Sequence, residues 1–331
     1  MKQFAYARPA DREEAVAMVS GSPGARYLAG GTNLVDLMRL GVAGPDLLVD
    51  VSALLPSGVQ EQPDRGLLIG AGTPNSDLAA DERIRRDHPV LSQALLAGAS
   101  GQLRNMATVG GNLLQRTRCV YFTDVTKPCN KREAGSGCPA RTGAHRDLAV
   151  LGASEACIAT HPSDMAVALA ALDARVHVSG SDGDRVLALD DFYRLPGEDP
   201  SRDTTLKHGD LVTAVEIPLA SALTRRSAYR KARDRASYAF ALGSVAVALE
   251  VSGTTVRDVR IAFGSLAHRP WRARTAEDAL RGGPATAEAF SAAVEVELGA
   301  AAPLPDNAFK VPLARNLAVS VLSALLEEAP R

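Results

Sequence analysis

Apolar residues in the first 50 positions recur at the spacings of short, alternating strands and helices. Asp11 precedes a segment whose apolar positions are Ala15, Val16 and Val19, which predicts a helix capped by the aspartate. Residues 26–29 are mostly apolar, 30–33 form a glycine-rich turn, 34–40 have a helical pattern and 47–51 are mostly apolar again. This order predicts a compact α/β unit.

Residues 56–222 have longer apolar segments. Runs at 67–72, 174–179, 186–189 and 211–217 predict strands, and the pattern at 76–85, 90–99 and 165–172 predicts helices. Residues 102–112 are rich in turn-forming residues, so we expect a loop there. Residues 113–160 have no clear periodicity, and we expect an irregular segment.

A third pattern begins after residue 222. Residues 244–251 and 256–263 resemble two strands of an antiparallel hairpin with Gly253 and Thr254 at its turn. Helical patterns follow at 273–280 and 285–298. A last helix has apolar residues at four-residue steps, which predicts one buried face; they are Leu313, Leu317, Val321 and Leu325.

The composition excludes several classes of protein. The chain has 331 residues, 46% of them hydrophobic, which is enough for two or three packed domains. A net charge of −1 and an aromatic content of 4% argue against nucleic acid or an anionic membrane as partner. No apolar run approaches the roughly 18 residues that span a bilayer, so we expect no membrane insertion.

The N-terminal residues also indicate the cellular compartment of the chain. Charges at positions 11–14 and the lack of an apolar stretch argue against a secretory signal peptide. We therefore expect a cytoplasmic chain by its own sequence. It would be periplasmic only if it were co-exported with a partner that bears an export signal.

Two Gly-Gly turns that end in Asn, at 30–33 and 110–112, are candidates for ligand binding. Backbone N–H groups hold phosphates where the chain approaches closely with unusual φ and ψ, which calls for glycine. The first turn follows a predicted strand and opens a predicted helix, so its amides point at one spot. Such a turn is also common as a purely structural element, and it is not the G-x-G-x-x-G dinucleotide fingerprint.

All four cysteines lie in the irregular segment, at Cys119, Cys129, Cys138 and Cys157. None of them forms a C-x-x-C pair, so the spacing leaves open an iron–sulfur cluster, a zinc site, two disulfides or four unrelated thiols. Nearby basic residues and glycines favour an anionic cluster, although a solvated loop or a partner contact would also explain them; they are Arg118, Lys127, Lys131, Arg132, Gly135, Gly137, Arg141 and Arg146. No histidine has ligand spacing, and we expect His145 and His161 at the surface or in hydrogen bonds.

Five motifs carry a resemblance to a known family. They are Tyr-Leu-Ala-Gly-Gly-Thr-Asn-Leu-Val-Asp-Leu-Met at 27–38, Gly-Ala-Gly-Thr at 70–73, Thr-Val-Gly-Gly-Asn at 108–112, Glu-Ile-Pro at 216–218 and Tyr-Arg-Lys-Ala-Arg-Asp at 229–234. In this order, and over nearly the whole chain, they resemble the FAD-binding (medium) subunit of the xanthine dehydrogenase family of molybdenum hydroxylases. The cysteine segment resembles more specifically the flavoprotein subunit of periplasmic-type aldehyde oxidoreductases, which also holds a [4Fe-4S] cluster.

The resemblance implies an α+β fold in two parts. Residues 1–222 would form an FAD-binding domain of the vanillyl-alcohol-oxidase/PCMH type, with subdomains 1–55 and 56–222 and an iron–sulfur loop at 113–160. Residues 223–331 would form a smaller α+β domain with an antiparallel sheet and helices.

The resemblance also implies two sets of site residues. The FAD-binding set is Leu28, Ala29, Gly30, Gly31, Thr32, Asn33, Leu34, Thr108, Gly110, Gly111, Asn112, Asp124 and Lys231. The ligands of the [4Fe-4S] cluster would be Cys119, Cys129, Cys138 and Cys157. Lys231 would lie near the flavin or its adenosine end, where a positive charge stabilises anionic flavin; the residue by itself is typical of a solvated surface lysine.

The implied function is electron transfer in a heterotrimer. A large partner would hold a molybdenum–pterin centre and oxidise an aldehyde or N-heterocycle, and a small partner would hold two [2Fe-2S] clusters. Electrons would pass through FAD on this chain to an external acceptor. Two other hypotheses remain at this stage. The chain could be a free-standing FAD oxidoreductase of the same fold, or a scaffold subunit that binds a structural zinc ion and has no enzymatic activity.

Overall fold

The structure is a computed structural model, and it describes residues 1–327. The strands are β1 (Ala5–Ala7), β2 (Ala25–Leu28), β3 (Leu47–Asp50), β4 (Val59–Gln62), β5 (Gly66–Gly70), β6 (Arg175–Gly180), β7 (Gly183–Ala188), β8 (Leu211–Ile217), β9 (Ser227–Ala232), β10 (Gly243–Ser252), β11 (Thr255–Gly264) and β12 (Trp271–Arg272). The helices are α1 (Arg12–Ser20), α2 (Leu34–Arg39), α3 (Asn75–Ala80), α4 (Glu82–Asp87), α5 (Pro89–Ala97), α6 (Gly101–Met106), α7 (Val109–Leu113), α8 (Val120–Thr123), α9 (Asp164–Ala171), α10 (Leu189–Phe192), α11 (Ala222–Arg225), α12 (Arg274–Leu280), α13 (Ala287–Leu298) and α14 (Lys310–Glu327), with 3-10 turns at Pro139–Arg141 and Pro305–Asn307.

The N-terminal unit is a three-stranded parallel sheet in the order β1-β3-β2. Helix α1 begins after Asp11, whose carboxylate accepts a hydrogen bond of 2.8 Å from the backbone N–H of Glu14. Its buried residues, Ala15, Val16 and Val19, pack in one apolar cluster with Val49 of β3. The capped helix expected from the sequence is confirmed.

The central unit is a five-stranded sheet in the order β4-β5-β8-β6-β7, with antiparallel neighbours. All seven residues of β8 are buried, as expected for its middle position. Helix α9 packs against α5 on one side and against β10 and β11 on the other. It lies between two units, which explains why it is apolar on every face and buried from Met165 to Ala171.

The C-terminal unit is a four-stranded antiparallel sheet in the order β12-β11-β10-β9. The predicted hairpin is β10 and β11, and Gly253 at its turn has φ +60°, a left-handed value that suits glycine. Helices α12, α13 and α14 share one apolar cluster with β10 and β11. The expected boundary near residue 222 lies between β8 and β9. This domain boundary remains a prediction. Residues 328–331 of the predicted last domain lie outside the residues that the structure describes.

Helix α14 has the one-sided packing that the sequence predicts. Its buried residues are Lys310, Ala314, Ala318, Val321, Leu322 and Leu325, whereas Leu313 and Leu317 of the predicted face are only half-buried. By length and mean hydropathy, the segment Pro305–Glu327 would suit a membrane span, although we expected no membrane insertion. Because its buried face contacts α13 and β10, α14 has the packing of a core helix.

The structure differs from the predicted elements at two places. The expected loop at 102–112 contains α6 and α7, because Ser100 and Thr108 accept hydrogen bonds from the backbone N–H groups of Leu103 and Gly111 and so cap two helices. The expected helix at 76–85 is divided into α3 and α4, because Asp81 leaves the helical conformation and caps α4. The segment 113–160 is mostly irregular, as expected, with only α8 and one 3-10 turn.

Candidate functional site

The first glycine turn presents free backbone donors. It connects β2 to α2, and within residues 1–327 the backbone N–H groups of residues 30–33 have no hydrogen-bond acceptor. Gly31 has φ +71°, a conformation that other residues adopt only with strain. Four open donors before the start of a helix are the arrangement that binds a phosphate.

The first turn lies directly against the chain that leads into α7. A Cβ atom added to Gly30 would lie 1.9 Å from the backbone oxygen of Met106 and 3.3 Å from Cα of Ala107. The side chain of Asn33 continues this contact, because its Oδ1 accepts a 3.0 Å hydrogen bond from the backbone N–H of Arg116. The two glycine turns, some 80 residues apart in sequence, are therefore neighbours in space.

The second turn forms the short helix α7, whose amides are already bonded. The Gly110 N–H donates to the backbone oxygen of Ala71 at 2.9 Å, and the Gly111 N–H donates to Thr108 Oγ1 at 3.2 Å. The Asn112 N–H donates to the backbone oxygen of Thr108 at 2.8 Å. Both turns are candidate phosphate sites by sequence, but among residues 1–327 the first turn has a row of open donors and the second does not.

Both turns line one cavity of about 370 Å³. We call it the turn cavity and define it by Thr32, Asn33, Asn75, Asn112, Lys231 and Phe240. Two buried polar atoms in its wall, Asn33 Nδ2 and Asn75 Oδ1, have no hydrogen-bond partner in the described chain. Unpartnered buried polar atoms are costly, so they indicate a ligand with both donors and acceptors. Together with the open amides of the first turn, these groups fit a dinucleotide such as FAD.

Lys231 is a buried member of the turn cavity. Its Nζ lies 2.8 Å from Asp164 Oδ2, and the two side chains are only 3% and 9% exposed. Asp164 also accepts a hydrogen bond from the hydroxyl of Tyr229. The solvated surface lysine that the residue type alone suggests is therefore wrong, and Lys231 brings a paired positive charge to the cavity.

The remaining residues of the predicted FAD set have other positions. Leu28 ends β2, Ala29 follows it, and Leu34 is the first residue of α2. Asp124 lies in the cysteine segment, where its carboxylate accepts hydrogen bonds of 3.0 and 2.7 Å from the backbone and side chain of Thr126. The structure does not bring Asp124 to the turn cavity. Its predicted role in binding FAD remains a prediction.

Several residues of the turn cavity were missing from the predicted FAD set, among them Asn75, Arg118, Tyr238 and Phe240. Arg118 places its guanidinium 4.9 Å from the ring centre of Phe240, and its NH1 lies 3.6 Å from Asp36 Oδ2. Tyr238 and Phe240 are both more than half exposed at the cavity rim. A loop of two exposed aromatic residues directly after the motif at 229–234 was the available signal.

The four cysteines line a second small cavity, which we call the cysteine cavity and define by Cys119, Cys129, Cys138 and Cys157. Three of them are buried, Cys138 is half-buried, and none forms a disulfide. They pack in one cluster with Phe122. Within residues 1–327 no group of three or more His, Cys, Asp or Glu side chains is arranged around a single metal ion. The four thiols therefore line one cavity without forming disulfides, and a metal or iron–sulfur site there remains a prediction.

The thiols influence one another. Cys157 donates a hydrogen bond to Cys138, which lowers the pKa of the Cys138 thiol to about 6 and raises the pKa of Cys157. Burial raises the pKa of Cys119, and the neighbouring Cys129 and Cys138 contribute to that rise. The hydrogen bond therefore favours the thiolate form of Cys138, whereas Cys119 and Cys157 favour the neutral thiol.

Most basic residues near the cysteines have other partners. Arg141 pairs with Glu155, and Arg146 pairs with Asp234. Arg132 donates to backbone oxygens of Tyr121 and Phe122, and so holds α8 in place. Lys131 is different, because it lines the cysteine cavity and is almost completely buried. His145 and His161 are buried rather than exposed, and His145 Nε2 accepts a hydrogen bond from Asp306 N–H.

Two family models match the chain. Residues 2–220 match the FAD binding domain in molybdopterin dehydrogenase. The chain belongs to this family of flavoprotein subunits. Residues 199–329 match the CO dehydrogenase flavoprotein C-terminal domain, so the two models together extend over nearly all of the chain.

Individual members of the FAD-binding family are similar over most or all of their length. The aldehyde oxidoreductase FAD-binding subunit PaoB of Escherichia coli (strain K12) is 48% identical over 99% of this chain and 100% of PaoB. The glyceraldehyde dehydrogenase medium chain of Sulfolobus acidocaldarius is 27% identical over 83% of this chain and 80% of its own. A structure of CO dehydrogenase from Oligotropha carboxidovorans superposes with a TM-score of 0.75 at 25% identity, covering 97% of this chain and 98% of that one.

The family predicted from the motifs is therefore confirmed, and with it the α+β fold. The chain is an FAD-binding medium subunit of the molybdenum hydroxylase family, similar to aldehyde oxidoreductases. It is part of an FAD-dependent oxidoreductase.

Proposed function

We propose that this chain binds FAD in the turn cavity and a [4Fe-4S] cluster in the cysteine cavity, and transfers electrons within a heterotrimeric molybdenum hydroxylase. Its partners would be a small [2Fe-2S] subunit and a large molybdenum–pterin subunit. Electrons from the small subunit would leave through FAD to an external acceptor. The observation that carries the proposal is the convergence of four cysteines, spread from 119 to 157, on one cavity next to the turn cavity.

The residues of the turn cavity have distinct tasks in this proposal. The open amides of residues 30–33 and the side chain of Asn33 would hold the diphosphate. Lys231, held by Asp164, would bring positive charge to the flavin. Bound FAD would exchange single electrons with iron–sulfur clusters and electron pairs with an acceptor.

The cysteine cavity supports a cluster better than a scaffold role. Four thiols converge there, and the buried cation Lys131 offsets negative charge on them. Gly135 and Gly137, with φ +81° and +105°, shape the loop that brings Cys138 to the cavity. The Gly137 N–H donates to Asn130 Oδ1 at 2.7 Å, which fixes this loop beside Cys129.

The proposed partners follow from the names of the relatives. PaoB is described as an FAD-binding subunit of an aldehyde oxidoreductase, and the Sulfolobus and Oligotropha proteins are a medium chain and part of a CO dehydrogenase. A medium chain implies a larger and a smaller one. Since PaoB is 48% identical to the chain, we propose an aldehyde as the substrate class of the whole complex.

Metal and flavin analysis of two variants tests the proposal. Cys129→Ser in the purified complex should abolish the electron paramagnetic resonance signal of the reduced [4Fe-4S] cluster and leave bound FAD unchanged, because the first turn is a separate element. Gly31→Val should do the reverse, since a β-branched residue does not adopt φ +71° without strain and its side chain would fill the phosphate site.

The metal and flavin contents distinguish the possible cofactors. Wild-type protein with flavin but without iron would contradict the cluster and leave an FAD subunit alone. Zinc in place of iron would assign the cysteine cavity to a structural ion. If Cys129→Ser lost FAD as completely as iron, the two cavities would be one cooperative unit, which contradicts separate binding.

A further inference from the structure

Three charged side chains meet between the turn cavity and the cysteine cavity. Lys131 Nζ lies 2.5 Å from Asp203 Oδ1, and Arg116 Nε lies 2.5 Å from Asp203 Oδ2. The Lys131 side chain is 1% exposed and that of Asp203 is 18% exposed, so water screens this group poorly. One carboxylate therefore holds two cations that come from different parts of the chain.

Arg116 contacts the surroundings of both cavities. Its backbone N–H donates to Asn33 Oδ1 in the turn cavity at 3.0 Å. Its guanidinium lies 5.0 Å from the ring centre of Phe122, which packs in one cluster with Cys119 and Cys129. A movement of Arg116 would therefore disturb both Asn33 in the turn cavity and Phe122 beside the cysteines.

Lys131 lines the cysteine cavity and does not line the turn cavity. It lies two residues after Cys129, and its Nζ also donates to the backbone oxygen of Pro200 at 2.8 Å. Its buried ammonium therefore brings positive charge to the wall that holds the four thiols, where water screens it poorly.

The neighbouring histidines do not alter this charge balance. Burial lowers the pKa of His161 to about 4 and that of His268 to about 3, so both are neutral at neutral pH. Both interact with Asp203. Two cations and one carboxylate leave one excess positive charge between the cavities.

We propose that Asp203 is a positioning residue that holds Lys131 and Arg116 between the two cofactor sites, and that the balance of these three charges sets the reduction potential of the cluster in the cysteine cavity. The proposal rests on the proposed function, since it requires that cluster. Reduction adds an electron, so nearby positive charge favours the reduced state and raises the potential. Removing Lys131 and removing Asp203 should therefore have opposite effects.

A redox titration of the purified complex, followed by electron paramagnetic resonance of the reduced cluster, tests this. Lys131→Met should lower the midpoint potential, and Asp203→Asn should raise it, with iron and FAD contents unchanged. Lys131→Arg and Asp203→Glu keep the charges and should return the potential towards the wild-type value. Lys207→Met removes the same charge from an exposed pair with Asp182 and should cause no shift.

The outcomes separate this proposal from the proposed function. A complex with full iron content in which both variants shift the potential in the same direction, or in which neither shifts it, would overturn the proposal alone. A wild-type complex without iron would overturn both. If Lys131→Met fails to assemble, Asp203→Asn decides by itself, because an unchanged or lowered potential contradicts the charge argument.

Discussion

Lys231 Nζ and Asp164 Oδ2 form a 2.8 Å ion pair in the wall of the turn cavity, with both side chains nearly inaccessible to water. The pair joins β9 to the first residue of α9, so it also connects the C-terminal sheet to the central unit. Since the partner of each charge lies 67 residues away in sequence, the contact depends on the tertiary fold.

Removal of Lys231 should destabilise the chain and weaken FAD binding. Lys231→Met leaves Asp164 buried without its cation, which costs about 3–5 kcal/mol of unfolding free energy. Urea denaturation and the FAD content of the purified protein measure the two effects. Lys207→Met, at an exposed ion pair, should cost less than about 1 kcal/mol. An equally small loss for Lys231→Met would show that water reaches Asp164.

A methyl group at Gly30 should separate the two turns. Gly30→Ala would place Cβ 1.9 Å from the backbone oxygen of Met106, so the first turn must move away from the chain before α7. We expect a large loss of bound FAD, measured by flavin absorbance after gel filtration. Gly41→Ala is the matched control: its φ is +75°, and nothing lies within 4 Å of the added Cβ. It should cost about 1–2 kcal/mol of backbone strain and leave FAD binding intact; equal FAD loss in both variants would contradict a local effect.

The sequence predicted the elements whose signals are local. The period of α1 and the alternation in β10 and β11 are readable from neighbouring residues, because an amphipathic element has to place its apolar side chains on one face. Helix α7 was missed because it contains Gly110 and Gly111, whose low helix propensity suggests a turn. Its cap and its contacts with Ala71 and Thr73 outweigh that propensity.

The candidate sites were predictable in part. The cysteines and the first turn were found as motifs, because each occupies a short stretch of sequence. The burial of Lys231 depends on Asp164, and the position of Lys131 depends on Asp203, 72 residues further along the chain. No periodicity connects such pairs, so the charge network between the cavities could only be found in the folded chain.

Buried histidines should make the protein less stable in mild acid. Burial lowers the pKa of His88 to about 4, and neither ring nitrogen has a hydrogen-bond partner in the described chain. The unfolded chain binds a proton below its pKa of about 6.5, whereas the folded chain does not until about pH 4. The stabilising contribution is therefore fully present above about pH 6.5 and falls by roughly 1.4 kcal/mol per pH unit as the pH drops towards 4.

The variant His88→Leu isolates this contribution from that of the carboxylates. It should flatten the decline of unfolding free energy between about pH 6.5 and 5, measured by urea denaturation at several pH values. His208→Leu alters an exposed histidine and should leave the slope unchanged. If His88→Leu kept the wild-type slope, the protonated imidazole would be tolerated inside the fold.

Lys310 should be the main attachment between α14 and the end of the cysteine segment. Its side chain is completely buried, and its Nζ donates to the backbone oxygens of Asp147, Leu148 and Ser265 at 3.0, 2.9 and 2.6 Å. Burial lowers the pKa of Lys310 to about 7, which shows that burying this amine is unfavourable. The three hydrogen bonds to backbone oxygens offset that cost. Lys310→Met fits the same space but leaves those acceptors without their donor.

We expect Lys310→Met to lower the unfolding free energy by roughly 3 kcal/mol, because unpaired buried carbonyls cost about 1–3 kcal/mol each and Asn307 compensates only at Leu148. Limited proteolysis should then cut near residues 147–149 sooner than in the wild type. Lys2→Met, at an exposed pair with Asp46, serves as the matched control and should change neither measurement. A loss below about 1 kcal/mol would mean that water replaces the amine at the three carbonyls, and that α14 is held by its apolar face alone.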